Sequence, residues 1–469
     1  MSRLLIRAFI AVLLCVSTVW SAETADPRTM RFPALDFRIP KAERVVLDNG
    51  IPVFLLPDRE LPIVTVSALI RTGSVYDPVG KSGLASLTGT LLRGGGAGAL
   101  APDALDEHLE FMASSVESAF GSDSGTVGMT TLTRNLEPTL AIFRDVLFTP
   151  RFDEKRLTVA RRQLLEAIRR QNDDPKEMAD RELMKMIYAG HPLGVVPTEA
   201  SVAAITREEI VAFHRRHVRP DTMILAVSGD FERERLIPLL NRLIGSQRPA
   251  DKQALPPLPP VPVSFKPELL LLPKQVNQSV IRLGHLGIDK NDPDLYAVRV
   301  LDFILGGSFT SRLMMEIRTN QGLAYNVSSS FEVGRRFIGS FSAETETRAD
   351  ATARTIALMT AIIDGIRKEP VTDQELTLAK ESIINSFLFG FTSSASTVAQ
   401  QARLEFYGYA PDYLERYRER ISAVTREDVL RASRRLLHPD AFKLVVVGNE
   451  TAFDRPLAEF GAVTRVQPD

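Results

Sequence analysis

Hydrophobic and polar positions follow two periods along this chain, two residues in short runs and about 3.6 in longer ones. The 63–71 stretch alternates apolar and polar side chains, which predicts a half-buried strand, and 126–132 repeats the pattern. The 44–56 stretch sets Asn49-Gly50 between two apolar segments, a strong short-range hairpin signal. Helical periodicity predicts helices over 82–93, 102–116, 135–148, 153–172 and 175–188. Strands and helices mix without regular βαβ alternation. The predicted class is therefore α+β, a mostly antiparallel sheet with helices packed on one face.

That design occurs twice. Residues 206–230 (TREEIVAFHRRHVRPDTMILAVSGD) and 425–449 (TREDVLRASRRLLHPDAFKLVVVGN) align without a gap at an offset of 219 residues. They share Thr206/Thr425, Arg207/Arg426, Glu208/Glu427, Pro220/Pro439, Asp221/Asp440 and Gly229/Gly448. Each copy has an N-capping Thr with acidic residues in the first turn, a basic amphipathic helix, a Pro-Asp turn and an apolar strand ending in Gly. A compound pattern of this kind points to two homologous domains, 41–246 and 268–460. Between them 247–267 reads QRPADKQALPPLPPVPVSFKP, and its consecutive prolines predict a semi-rigid linker.

Residues 1–22 break the pattern. Arg3 and Arg7 give a basic start, 8–19 is a nearly unbroken apolar run, and small Ser21 and Ala22 precede polar Glu23. This order describes a secretory signal peptide, with a retained amphipathic or membrane anchor as the alternative, and the run falls short of the about 20 residues of a membrane span. Bulky Leu14 before Cys15 argues against lipid attachment. Cleavage after Ser21 or Ala22 would remove the single Cys and the single Trp, Trp20, leaving a mature chain without disulfides. The expected location is periplasmic or secreted, with no membrane contact after signal removal. Lys+Arg 57 against Asp+Glu 58 gives a formal net charge of -1, which speaks against nucleic acid as a partner.

The chemistry-bearing motifs begin at Gly73-Ser74-Val75-Tyr76-Asp77, followed by Gly83-Leu84-Ala85 and Arg93-Gly94-Gly95. This layout resembles the N-terminal domain of pitrilysin/insulinase-type zinc peptidases, among them the mitochondrial processing peptidase and its bacterial relatives. The resemblance implies a His-x-x-Glu-His motif directly after Ala85, in which two His four apart hold a metal and the Glu activates its water. Here those positions are Ser86, Leu87, Thr88, Gly89 and Thr90. Hydroxyls are poor Zn²⁺ ligands and glycine has no base to offer. Glu166, 76 residues after Thr90, stands where the resemblance implies a third ligand, and a lone carboxylate also fits a helix-surface role. No cofactor is expected in this chain.

The histidines offer no substitute site. His214 and His217 stand at i, i+3 without an acidic base beside them, and His108 lies among acidic residues. Each of His108, His191, His214, His217, His285 and His438 is expected to be a surface or helix-end residue. The glycines at 94–98 (GGGAG) are expected to end a helix as a loop, and no Gly-Lys-Ser/Thr follows them to cradle a phosphate.

In the second half, 305–327 reads LGGSFTSRLMMEIRTNQGLAYNV and closely resembles the family segment whose Arg and Tyr contact substrate backbone across from the zinc. By position these are Arg318 and Tyr325, and Gly306-Gly307 match the family's flexible turn. A guanidinium fork can hold a peptide carbonyl or carboxylate, and a Tyr hydroxyl can donate to a developing oxyanion. The residue types alone also fit a helix-surface Arg and a core-edge Tyr. In several branches of the family the zinc site and the Arg/Tyr pair are divided between two homologous chains. The implied function is a non-catalytic subunit that binds peptide and completes the active site of a His-x-x-Glu-His partner, in a heterodimer or heterotetramer. Zinc is then expected in that partner. A peptide-binding or scaffold protein with no enzymatic partner is the alternative. An independent hydrolase would need a nucleophile with a base, and Ser86 has none in evidence.

Overall fold

A computed structural model describes residues 38–248 and 254–467, and Pro40–Asp469 forms one compact unit. The expected signal segment and residues 249–253 of the linker lie outside the described residues.

The first half contributes β1 (Glu43–Val46), β2 (Pro52–Pro57), β3 (Ile63–Ile70), β4 (Ser115–Phe120), β5 (Gly125–Leu132) and β6 (Met223–Gly229). The second contributes β7 (Glu268–Pro273), β8 (Gln278–Leu286), β9 (Ala324–Glu332), β10 (Ser340–Arg348), β11 (Lys443–Gly448) and β12 (Val463–Arg465). The two sheets run β1-β2-β6-β3-β5-β4 and β12-β7-β11-β8-β10-β9. From β2 and from β7 onward the two paths are the same, each with one parallel pair (β2/β6 and β7/β11) among antiparallel neighbours. The copies differ at the outer edge, where β1 joins β2 antiparallel and β12 joins β7 parallel.

The helices repeat as well. Pro175–Ile187 and Ser394–Phe406, and Arg207–His217 and Arg426–Leu436, stand at the same 219-residue offset. Thr206 and Thr425 each cap the latter pair through a reciprocal box: Thr206 Oγ1 accepts the Glu209 N–H while Glu209 Oε2 accepts the Thr206 N–H at 2.8 Å. Asp428 answers Thr425 in the same way.

The sequence reading placed helices on one sheet face only, and here the structure differs. On one face of the first sheet, Leu225 and Val227 of β6 join Leu87, Leu91 and Phe143 from helices of the same half. On the other face, Ile224 and Ala226 meet Val398, Ala402 and Phe406 of helix Ser394–Phe406, which belongs to the second half. The exchange is mutual. Helix Pro175–Ile187 lays Met178, Ala179, Leu183 and Ile187 against Leu270, Leu272, Val280, Val445 and Val447 of the second sheet. Burying a large aliphatic or aromatic side chain contributes about 1.5–3 kcal/mol, so each crossing helix is a substantial part of the other half's core.

The 102–116 prediction also needs correcting. The helix Pro102–Phe111 stops five residues earlier and Ser115–Phe120 is the edge strand β4. Between them Ala113 takes a left-handed conformation with φ 47, a helix stop carried by a residue that does not advertise one. The linker residues 254–267 form neither helix nor strand. His191 fastens them, donating from Nε2 to the Pro259 carbonyl at 3.0 Å while Nδ1 accepts the Leu193 N–H.

Candidate functional site

The glycine–serine motif at Gly73 positions the helix that would carry a metal. Gly73 has φ 130, and a Cβ there would fall 2.3 Å from the Ser122 carbonyl oxygen, so only glycine lets the two segments touch. The chain then turns to bring Asp77 under helix Leu84–Gly94, where its carboxylate accepts the Gly83 and Ala85 N–H groups at 2.8 Å each. Burial pushes the Asp77 carboxyl up to about 6 against the pull of these bonds. The motif thus anchors a helix N-terminus, whether or not that helix binds metal.

Ser86 and Thr90 lie on the exposed face of this helix, and Thr90 Oγ1 donates back to the Ser86 carbonyl at 3.0 Å. Thr88 is fully buried and donates to the Leu84 carbonyl at 2.7 Å. Gly89 faces β4. A Cβ there would lie 2.5 Å from the Phe120 nitrogen and 3.0 Å from its Cβ and Cγ, while the Gly89 carbonyl accepts the Ser118 hydroxyl at 2.6 Å. The helix therefore lies directly on the strand, in space that a carboxylate side chain would need. Glu166 is exposed on helix Glu154–Arg170, paired with Arg169 at 2.9 Å, and Arg169 also reaches Glu199. Among the described residues no three His, Cys, Asp or Glu gather to hold a metal ion. The residues at the family's zinc position do not fit zinc.

The histidine reading is corrected in part. His108 is exposed as expected, but His191, His214, His217 and His285 are buried. His214 shares a 2.7 Å hydrogen bond with the Leu147 carbonyl, and His217 stacks on Phe213 at 4.2 Å. Burial lowers both, and His285 likewise, to about 4, so all three are neutral packing groups at pH 7. The basic character of the first repeated helix had masked its inner face.

The second-half signature assembles around a glycine turn and one aromatic–cation cluster. Helix Leu295–Leu305 ends as the Asp302 carbonyl accepts from Gly306 N–H at 3.1 Å and Gly307 N–H at 2.8 Å. A Cβ on Gly306 would sit 2.2 Å from the Ser329 nitrogen, so this glycine is required by the chain's own β9; Gly307 is exposed. Beneath the turn, Asp302 Oδ1 and the hydroxyls of Ser311 and Ser329 are buried without hydrogen-bond partners among the described residues. Burial raises the Asp302 carboxyl to about 7.

Arg318 sits in Met314–Asn320, a stretch wound wider than an α-helix, with Gln321 N–H reaching back to the Glu316 carbonyl at 3.0 Å. Such wide turns recur at functional sites. The guanidinium lies 5.0 Å from the Tyr325 ring centre and 5.9 Å from that of Phe309, and it makes no ion pair among the described residues. Tyr325 is 86% exposed and Phe309 76%, a costly display for two rings in a chain with buried alternatives. The structure brings Arg318 and Tyr325 together. Phe309 was not foreseen, although an aromatic residue inside GGSFTS was a visible signal.

Comparison with known proteins agrees with this architecture. The model of the insulinase family (peptidase family M16) matches residues 53–196, and that of the peptidase M16 inactive domain matches 204–383. Together they take in more than half of the chain, which belongs to the insulinase family. An uncharacterized zinc protease of Mycobacterium leprae is 26% identical over 310 residues, 66% of this chain and 69% of the relative. A crystal structure of a peptidase M16 inactive domain from Pseudomonas fluorescens is similar with TM-score 0.79 and 27% identity, covering 87% of this chain and 98% of that one. The periplasmic protease PqqL of Escherichia coli shares the fold at 16% identity and TM-score 0.75, covering 93% of this chain and 50% of the longer one.

Proposed function

We propose that this chain is the non-catalytic subunit of a periplasmic zinc metallopeptidase complex, binding peptide and completing the active site of a zinc-bearing homologous partner. One contrast carries the reading: the position of the metal's general base is filled by Phe120 at Gly89, while Tyr325 stands exposed beside a half-buried Arg318 that pairs with no carboxylate among the described residues. A chain whose only task was structural would have no need to hold that guanidinium between two solvent-facing rings. The length relation supports pairing, since this two-sheet unit spans half of the longer PqqL chain. The periplasmic location rests on the signal-like residues 1–22.

Arg318 would fork onto a peptide carbonyl or terminal carboxylate, and the Tyr325 hydroxyl would donate to an oxyanion forming at the partner's metal site. The test is native co-purification of the tagged mature chain, followed by peptide turnover of the recovered complex with Arg318→Ala. The expected result is a stoichiometric His-x-x-Glu-His homologue and a loss of turnover of at least tenfold with assembly intact. Repeated recovery of the chain alone would favour a self-contained peptide-binding or scaffold role, and unchanged turnover would remove Arg318 from the site.

A further inference from the structure

A cavity of about 740 Å³ opens where the two halves meet, lined by none of Ser86, Gly89, Thr90, Arg318 or Tyr325. Its walls come from Asp123 and Tyr188 of the first half, the 333–339 turn between β9 and β10, and helices Leu295–Leu305 and Ser394–Phe406 of the second. Four guanidiniums line it, from Arg299, Arg335, Arg336 and Arg403, against the two carboxylates of Asp123 and Glu332.

Arg336 has structural work. It donates to the Asp123 carbonyl at 2.8 Å and to the Tyr76 hydroxyl at 2.9 Å, fixing the turn to the first half. Asp123 is likewise engaged, accepting from the Tyr407 hydroxyl at 3.2 Å. The other three guanidiniums are uncommitted. The guanidiniums of Arg299 and Arg403 make no hydrogen bond or ion pair among the described residues, Arg299 acting on the buried Asp302 carboxyl only through its charge, and Arg335 lies 5.2 Å over the ring of Tyr407. Elsewhere the protein pairs its arginines readily, as Arg312 with Glu375 or Arg282 with Asp180.

These three groups arise from three separate elements, so their convergence is not the charged stripe of one helix. Like charges brought to one concavity repel, and the fold holds them there without an internal counter-ion for each. The planar fork of arginine matches phosphate and carboxylate oxygens through paired hydrogen bonds. A volume of this order suits a small molecule, and Tyr407, Tyr409 and Tyr413 give the site an aromatic wall. Four guanidiniums against two carboxylates leave an excess of two positive charges in the wall, which an anion of two or more charges would answer.

We propose that this cavity binds a small polyanion of the diphosphate type, which bridges the two halves by engaging Arg299, Arg335 and Arg403 together. The site is separate from the Arg318–Tyr325 cluster, and the proposal stands whether or not that cluster serves a partner enzyme.

The test is calorimetric titration of the full mature chain with inorganic pyrophosphate in sulfate-free buffer at about 0.15 M salt, where non-specific attraction is largely screened. The expected result is saturable one-to-one binding and a ligand-dependent rise in Tm. Arg299→Gln/Arg403→Gln should weaken binding at least tenfold, and Arg348→Gln, whose arginine pairs with Asp350 elsewhere, should leave it unchanged. The exposed turn variant Arg335→Gln gives an independent reading, with an expected loss of several-fold, should the double variant fold poorly. Absence of saturable binding, or equal affinity in Arg335→Gln and the unsubstituted chain, would overturn the proposal.

Discussion

The Cβ that Gly89 lacks would fall 2.5 Å from the backbone nitrogen of Phe120. Loss of the general base in this chain is therefore more than a missing side chain, because the neighbouring strand has taken its place. Restoring the motif as Ser86→His, Gly89→Glu and Thr90→His together should fail to create a zinc site. The exposed pair Ser86→His/Thr90→His should cost less than about 0.5 kcal/mol, whereas adding Gly89→Glu should cost about 3 kcal/mol or more through overpacking. Urea unfolding with metal analysis checks both, and a stable triple variant holding one zinc would refute the steric argument.

Asp302 gives the fold a pH dependence of known sign. Its carboxyl rises from 3.8 to about 7, so the folded state holds a proton that the unfolded chain releases. The stability tied to that proton is fully present below about 4 and is lost as pH rises through about 7. Asp77, raised to about 6, acts in the same direction. Asp302→Asn should flatten the decline in Tm between pH 5 and pH 8 and raise Tm at pH 8. An unaltered slope would show that the carboxyl is hydrated in solution.

Arg282 of β8 is buried and bonded at 2.5 Å to Asp180, on a helix contributed by the first half, and lies 3.3 Å from Glu344. The two carboxylates are about half exposed, so the arginine bears most of the desolvation. Asp180→Ala should therefore destabilise by about 1–3 kcal/mol, leaving a buried cation with one partner fewer. Arg282→Met should cost less, since it removes the buried charge and leaves the carboxylates to water. Chemical denaturation of both variants ranks them, and the reverse order would contradict the burial argument.

Asp77→Ala should lower stability by about 1 kcal/mol by stranding the Gly83 and Ala85 amides at a helix start. Asp77→Asn should recover part of that loss, since its side-chain oxygen can still accept one of them. Equal stability of all three proteins would mean that water caps the helix as well as the carboxylate does.

Much of this molecule was legible in its sequence. The duplication, the hairpin at Asn49-Gly50 and the long amphipathic helices are local or repeated signals, and the helix-cap boxes at Thr206 and Thr425 could be read residue by residue. Edge strand β4 was not, because Ala113 supplies a left-handed turn without the glycine that usually marks one. The second covered face of each sheet does leave a trace in the sequence. Ile224–Val227, Leu269–Leu272 and Leu444–Val447 are unbroken apolar runs, and a strand with one wet face would alternate instead. Of the candidate site, Arg318 and Tyr325 are picked out by their motif, but the closeness of Gly89 to Phe120 depends on two segments 31 residues apart and needs coordinates. The arginines of the junction cavity are scattered from Arg299 to Arg403, and nothing local to any one of them announces the others.

Each sheet wears, on one face, a helix made by the opposite half of the chain. Were the protein cut in the segment between the halves, each fragment would carry off a helix that fills part of the other's core. The halves are hostages to one another: a severed chain would travel as one particle, and neither copy of the ancestral domain could now be passed on alone.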